Sequence, residues 1–171
     1  MTQKLANFVV FGLLILGSHT ASASSAPQPF SLEGNRYLQE GKYGQAVLEY
    51  ENALKENTSE TKIYFNLAIA YYAEGKMSKA AQALEKLLLL NPKDVEARYN
   101  LGCLNLYLQN PEKARFHFLK AKGDALRMPA FIPLINQGLQ FLNEIKKTDS
   151  QSQEILFSLL KFGLPSVSLS N

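Results

Sequence analysis

Small and large apolar residues recur at fixed distances along most of the chain. Ala46, Ala80 and Ala114 are each separated by 34 residues. A pattern that repeats at such a distance indicates a repeat architecture, in which each copy is one supersecondary unit. The same step links five further columns of positions: Gly34, Ala68 and Gly102; Tyr37 and Tyr71; Gly41 and Gly75; Tyr50, Leu84 and Phe118; and Ala53, Leu87 and Ala121.

The pattern within each period predicts two helices and a turn. Apolar residues recur there at three- and four-residue spacing, as in amphipathic helices. Gly41 and Gly75 follow the first apolar segment, and glycine in that place is typical of a helix end with positive φ. Pro111 after Asn110 is typical of a helix start. The three repeats, residues 27–60, 61–94 and 95–128, are then expected to hold helices near 30–40, 44–56, 60–74, 77–90, 94–108 and 111–122.

These columns resemble the tetratricopeptide repeat, with a small residue and an aromatic in a first helix, a turn glycine, and alanines around a large apolar residue in a second. The most complete copy is residues 61–94, which closes on Pro92. The resemblance implies an all-α fold, a right-handed superhelix of antiparallel helix hairpins. It also implies a scaffold that serves many partners, so function must be argued from its surface.

By that resemblance, the first helices line a concave surface on which ligands commonly bind. We expect the apolar and aromatic side chains there to form an exposed strip that binds a protein or peptide partner. The predicted partner-binding residues are Asn35, Phe65, Asn66, Ile69, Tyr72, Tyr99, Cys103, Leu106 and Tyr107. Three alternatives stay open: ordinary packing between helices, C-terminal helices that fold back over the surface, and self-association.

Some members of this family hold the C-terminal carboxylate of large cytosolic chaperones with two asparagines, lysines and an arginine. Asn35 and Asn66 match the asparagine positions, whereas the basic positions hold Ser31, Glu96 and Asn100. A carboxylate would find no charge partner there, so this binding mode is not expected.

Beyond the repeats, residues 129–163 predict a helical cap or a degenerate fourth repeat. Residues 129–147 carry apolar side chains at helical spacing, with Pro129 and Pro133 expected in the first turn. A second apolar stripe follows, and residues 164–171 are expected to form a tail. That stripe consists of Ile155, Leu156, Leu159 and Leu160.

The first 23 residues have the order of a cleavable secretory signal. Lys4 precedes an apolar run from Phe8 to Gly17, and Ala21-Ser22-Ala23 follows. A ten-residue apolar helix spans about 15 Å, which is short of the ~30 Å hydrocarbon core of a bilayer. We therefore expect an exported, periplasmic protein with a short linker at 24–29; the alternative is a membrane anchor formed by uncleaved residues 1–23.

Charge and composition exclude several classes of function. The 18 basic and 15 acidic residues are nearly balanced, which argues against a nucleic-acid binder. Cys103 is the single cysteine, and His117 is the one histidine beyond the first two dozen residues, so neither a disulfide nor a metal site is expected. No nucleophile, phosphate-loop or zinc-protease motif occurs, so we expect neither catalysis nor a cofactor.

The sequence thus favours a non-enzymatic interaction module of the bacterial cell envelope, an adaptor or assembly scaffold with a partner polypeptide in its groove. The alternative is a chaperone similar to those that hold translocator proteins of type III secretion. Those chaperones act in the cytosol without export signals, so residues 1–23 count against that alternative. An enzyme is the least favoured reading.

Overall fold

Helices account for all the regular structure in the part of the chain that is described. The computed structural model describes residues 29–56 and 60–147, together with Glu154. Its helices are α1 Pro29–Gln39, α2 Tyr43–Lys55, α3 Thr61–Ala73, α4 Met77–Leu90, α5 Val95–Tyr107, α6 Pro111–Asp124 and α7 Phe131–Lys146, with a 3₁₀ turn at Ala125–Arg127. No helix in these ranges is long and apolar enough to cross a membrane.

Two units divide the chain, with a boundary between Pro92 and Lys93. In the first unit, α1 pairs with α2 and α3 pairs with α4, while α3 also packs against α2 and α1. Its core consists mainly of alanines and larger apolar side chains: Ala46, Val47, Tyr50, Ala53, Ile63, Phe65, Leu67, Ala68, Ala70, Tyr71, Ala80, Ala81, Ala83, Leu84 and Leu87.

The second unit contains the third hairpin and one further helix. α5 pairs with α6, and α7 packs mainly against α6 and also against α5. This is the arrangement that α3 has relative to α2 and α1 in the first unit. Within the described residues, α7 therefore takes the place that the first helix of a following repeat would take.

The three hairpin turns share one backbone geometry. After α1, the N–H of Lys42 donates to the carbonyl of Tyr37 and the N–H of Gly41 to that of Leu38. Equivalent bonds close α3 and α5. The residue that ends the helix takes a left-handed φ each time: 72° at Gly41, 74° at Gly75 and 60° at Gln109. The positive φ expected at the two glycines is confirmed, and in the third turn glutamine adopts it without glycine's freedom.

Close approach of helices explains the column of small residues. A Cβ added to Gly34 would lie 2.6 Å from the ring of Tyr50, and one added to Gly102 would lie 2.6 Å from the ring of Phe118. In the second repeat, Ala68 stands in place of the glycine and Leu84 in place of the aromatic residue, and both are buried. Glycine therefore stands where the partner column is aromatic.

Most helix boundaries agree with the sequence-based prediction to within about two residues. The all-helical prediction is confirmed. Two local predictions differ: Pro129 lies before α7, because the helix begins at Phe131, and the side chain of Asn110 makes no cap hydrogen bond at the start of α6. The expected signal peptide 1–23, residues 24–28 of the linker, the second apolar stripe at 155–160 and the tail 164–171 lie outside the described residues. The expected linker runs to residue 29, whereas Pro29 is the first residue of α1.

Candidate functional site

The surface formed by α1 and α3 carries four of the predicted partner-binding residues. We call Asn35, Asn66, Ile69 and Tyr72 the α1–α3 face. Asn66 donates from Nδ2 to Oδ1 of Asn35 at 2.7 Å, which places the two side chains where the helices adjoin. Ile69 and Tyr72 follow Asn66 at three-residue steps and are half-buried. The face therefore combines a fixed polar pair with partly exposed apolar surface.

Asn35 is held by a second bond from within the unit. Its Oδ1 also accepts a hydrogen bond from the hydroxyl of Tyr50, at 2.7 Å. Tyr50 is fully buried, and burial raises the pKa of its phenol well above the usual range, so the hydroxyl remains a donor. Both lone pairs of Oδ1 are thus used inside the protein. Asn35 joins α1, α2 and α3, and this oxygen is not available to a ligand.

In the second unit, α7 covers the first helix of the third repeat. Tyr99 has its ring centroid 5.7 Å from that of Phe118 and 5.7 Å from that of Phe131, the first residue of α7. Cys103 and Leu106 belong to the same apolar cluster. The remaining buried members are Val95, Ala114, Ala121, Ala125, Ile135, Phe141, Leu142 and Ile145.

The expectation of an exposed strip is therefore wrong for four residues. Phe65, Tyr99, Cys103 and Leu106 are all less than 5% exposed. Of the alternatives left open by the sequence, ordinary packing accounts for these four side chains, and α7 supplies part of that packing in the second unit. Tyr107, at the end of α5, remains half-buried. A binding role for the half-exposed residues stays a prediction.

Cys103 has the environment of a structural cysteine. Burial raises the pKa of its thiol to about 12. The thiolate, which is the nucleophilic form, is therefore scarce at neutral pH. Cys103 fills core volume between α5 and its neighbours, and it offers no reactive group to a partner.

The described residues provide little chemistry beyond packing. None of their His, Cys, Asp and Glu side chains form a group of three or more that could hold a metal ion. His117 is half-buried on α6, and burial, with the charges of Arg98 and Lys113 nearby, lowers its pKa to about 4. It is consequently neutral at physiological pH.

The sequence left the cover over Tyr99 open, as one alternative beside an exposed strip, and α7 now supplies it. A Cβ on Gly138 would lie 2.7 Å from the ring of Phe118, which is the close approach seen at Gly102. One feature of the site was missed by reasoning from sequence: the hydrogen bond from Tyr50 to Asn35, for which the sequence carries no pattern.

Profiles of the tetratricopeptide repeat match residues 37–102 and residues 95–123. Together they run from residue 37 to residue 123, just over half of the 171 residues. The chain belongs to the tetratricopeptide-repeat family. The predicted all-α tetratricopeptide-repeat fold is thereby confirmed, and the helix pairs α1–α2, α3–α4 and α5–α6 are its repeats.

Relatives and solved structures agree with this assignment. The chain is 22% identical over 123 residues to Hsp70-Hsp90 organizing protein 3 of Arabidopsis thaliana, covering 72% of this chain and 22% of that protein. The chain thus spans about a fifth of the length of that curated relative. Two solved structures share the fold at low sequence identity.

The first of these structures is PcrH in complex with the chaperone binding region of PopB, with a TM-score of 0.57, 17% identity, and coverage of 64% of this chain and 88% of that one. The second is the first tetratricopeptide-repeat domain of Spaghetti (RPAP3) bound to an HSP90 peptide. Its TM-score is 0.56 and its identity 22%, with coverage of 65% of this chain and 90% of that one.

Proposed function

We propose that this tetratricopeptide-repeat protein is a non-catalytic interaction module that binds a segment of a partner polypeptide on the α1–α3 face. The observation that carries the proposal is the half-exposed surface of Ile69 and Tyr72 beside the fixed Asn35–Asn66 pair. Tyrosine is enriched among the residues that dominate binding energy at interfaces, and Ile69 adds apolar surface beside Tyr72. Both solved structures named above contain a bound polypeptide segment, which supports the same mode of use.

The chemistry of the face favours an apolar segment over a carboxylate terminus. Asn35 and Asn66 are hydrogen-bonded to each other, and Oδ1 of Asn35 has a second donor in Tyr50. The basic positions of the carboxylate-binding family members hold Glu96 and Asn100 here. A partner would therefore place an aliphatic or aromatic side chain against Ile69 and Tyr72.

Crosslinking by position tests this assignment. A photoreactive residue at Ile69 should attach to the partner in cells, whereas the same residue at Gln82, exposed on α4, should not. Ile69→Ser with Tyr72→Ala should weaken partner binding about tenfold or more, as loss of a central contact does. The matched control is Leu89→Ser with Leu90→Ser, which removes exposed leucines from the end of α4. Equal attachment at Ile69 and Gln82, or equal loss in both double variants, would contradict the proposal.

Tyr99 is unsuited to such a test. Its side chain is completely buried, so Tyr99→Ala would report on folding. Measuring the thermal stability of the Ile69 and Tyr72 variants separates the two effects, because a variant that keeps its melting temperature and loses its partner has lost a binding contact.

The cellular setting is also part of the proposal: the protein acts in the bacterial envelope as adaptor or scaffold, after export directed by residues 1–23. The sequence of that segment supports this. Fractionation with mass measurement tests it, since export with cleavage predicts a periplasmic product that begins at Ser24. A full-length product in the membrane fraction would indicate an uncleaved anchor.

A secretion-type chaperone is the second candidate function. It is favoured by the likeness of fold to PcrH, which is bound in its solved structure to the chaperone binding region of PopB. A full-length cytosolic product that holds a translocated protein in soluble form would favour this candidate over the envelope adaptor.

A further inference from the structure

The outer surface of α6 carries exposed apolar side chains, as α4 also does at Leu89 and Leu90. Phe116 and Leu119 are 53% and 54% exposed, and Leu126, in the turn that follows, is 88% exposed. Exposed apolar side chains that adjoin one another and are bordered by polar residues mark interaction sites, whereas single exposed ones do not. The spacing of Phe116 and Leu119 places both on one side of α6, away from the buried Ala114, Phe118 and Ala121.

Lysines border this apolar stripe on both sides. At 3.6 residues per turn, Lys113 and Lys120 lie along one edge of the stripe and Lys122 along the other. The ammonium of Lys120 lies 5.9 Å from the centroid of the Phe116 ring, so the charge and the exposed aromatic are neighbours. We call Lys113, Phe116, Leu119, Lys120, Lys122 and Leu126 the basic–apolar stripe.

Lysines outnumber carboxylates on this side of α6. Glu112 is exposed at the first turn beside Lys113, and Asp124 is partly exposed, with Arg98 at 3.8 Å. Lys120 and Lys122 lie more than two turns from Glu112. The stripe on α6 therefore carries a net positive charge around exposed apolar side chains.

We infer that the basic–apolar stripe of α6 docks the protein onto a membrane surface rich in anionic lipids. Apolar side chains between lysines suit the boundary between headgroups and acyl chains, where the rings and leucines enter and the lysine stems lie along the surface with their charges in the headgroup layer. The charge complementarity is with phosphate headgroups. The stripe lies on the exposed side of a single helix, whereas an amphipathic guest helix is bound in a hydrophobic groove.

Vesicle sedimentation of the protein as cells process it tests this inference. Vesicles of phosphatidylcholine mixed with phosphatidylglycerol should bind the protein, and vesicles of phosphatidylcholine alone should bind it at least about tenfold more weakly. Apolar contacts of residues 1–23 would appear in both arms, and the charge of Lys4 is the same in every variant compared, so the variants assign the charge effect to a position. Added salt should reduce that difference.

Two pairs of variants locate the effect. Lys120→Glu with Lys122→Glu should reduce binding to the anionic vesicles by about tenfold or more, whereas Lys62→Glu with Lys86→Glu, an equal change of charge at exposed positions, should reduce it much less. Phe116→Ser with Leu119→Ser should also release the protein, and Leu89→Ser with Leu90→Ser should not. All eight positions are exposed, so folding is expected to persist and circular dichroism verifies it.

Three results would overturn the inference. Equal binding to both kinds of vesicle would show that binding does not depend on the charge of the lipids. Equal loss of binding in test and control variants would show that the stripe is not the binding surface. A dimer or a complex with an acidic polypeptide that is broken by the stripe variants, without any vesicle binding, would assign the stripe to a protein partner. None of these results bears on the α1–α3 face, which the crosslinking experiment tests separately.

Discussion

The ring of Phe118 lies directly against the backbone of Gly102, so closely that a Cβ on the glycine would come within 2.6 Å of it. Gly138 of α7 approaches the other edge of the same ring, at 2.7 Å for an added Cβ. Phe118 is fully buried between them. The ring consequently has no room to retreat when either glycine is enlarged.

Gly102→Ala is therefore expected to destabilise the protein by about 1–3 kcal/mol, as overpacking of a core does. Gly123→Ala is the control, because a Cβ there meets nothing within 4 Å. It should instead stabilise α6 by about 0.5–1 kcal/mol through the usual preference of helices for alanine over glycine. Urea unfolding measures both values.

A compensating change tests the cause of that loss. The second repeat pairs Ala68 with Leu84, which suggests Phe118→Leu as the partner substitution. Gly102→Ala with Phe118→Leu should be less destabilising than the sum of the single changes. Strict additivity would mean that the clash with the ring is not the cause.

Asn35→Ala should destabilise the protein by about 1–3 kcal/mol, because it leaves the buried hydroxyl of Tyr50 without its acceptor and removes the partner of Asn66. Tyr50→Phe removes one donor from the same network. A double-mutant cycle between these two changes should give a coupling of at least about 0.5 kcal/mol. Independent effects in denaturant unfolding would show that the bond contributes nothing to stability.

Gln109 holds a left-handed φ of 60° that costs an ordinary residue about 1–2 kcal/mol. Gln109→Gly should thus stabilise the third hairpin, by up to about 1 kcal/mol after the greater freedom of glycine in the unfolded chain is allowed for. Gln109→Ala keeps the strain and should give no such gain. A lower melting temperature for the glycine variant would contradict this account.

The contribution of His117 to the free energy of unfolding depends on pH. The folded protein keeps this imidazole neutral down to about pH 4, whereas the unfolded chain takes up the proton near its usual pKa of 6.5. That contribution is complete above pH 6.5 and is lost as the pH falls toward 4. His117→Gln should make the free energy of unfolding fall less steeply over this interval. Identical slopes for the two proteins would show that His117 is not responsible.

Cys103 should resist alkylation at pH 8 as long as the protein is folded, since its thiol is buried with a pKa of about 12. Ser78→Cys in a Cys103→Ala background places a thiol at an exposed position of α4 and should react at the rate of a free peptide. Because the unfolded thiol ionises near pH 9, stability should also decline above that pH. Rapid labelling of native Cys103 would mean that α5 is accessible.

The parts of the fold that sequence predicted are those set by local chemistry. Gly41 and Gly75 end helices because their backbone can turn left-handed, and Pro111 starts one because its fixed φ suits the first turn. Gln109 adopts the same turn under the constraint of the helices on either side, and its side chain gives no local signal of this.

The candidate site was predictable only in part, because exposure depends on contacts between distant segments. Ile69 and Tyr72 remain half-exposed as expected, whereas Tyr99 lies against Phe131, a residue of another helix. Which face of a helix is buried depends on the elements that pack against it. The spacing of apolar residues within α5 does not reveal where α7 packs.

The position of Phe118 between two glycines has a consequence during synthesis. Proteins emerge from the ribosome from the N-terminus onward, so the α5–α6 hairpin is available before Gly138 and the rest of α7 have been translated. During that interval one edge of Phe118, together with Tyr99, lacks its cover. Nascent chains halted before α7 would leave this apolar surface exposed, which favours aggregation and cleavage by proteases. Translation of α7 ends that exposure.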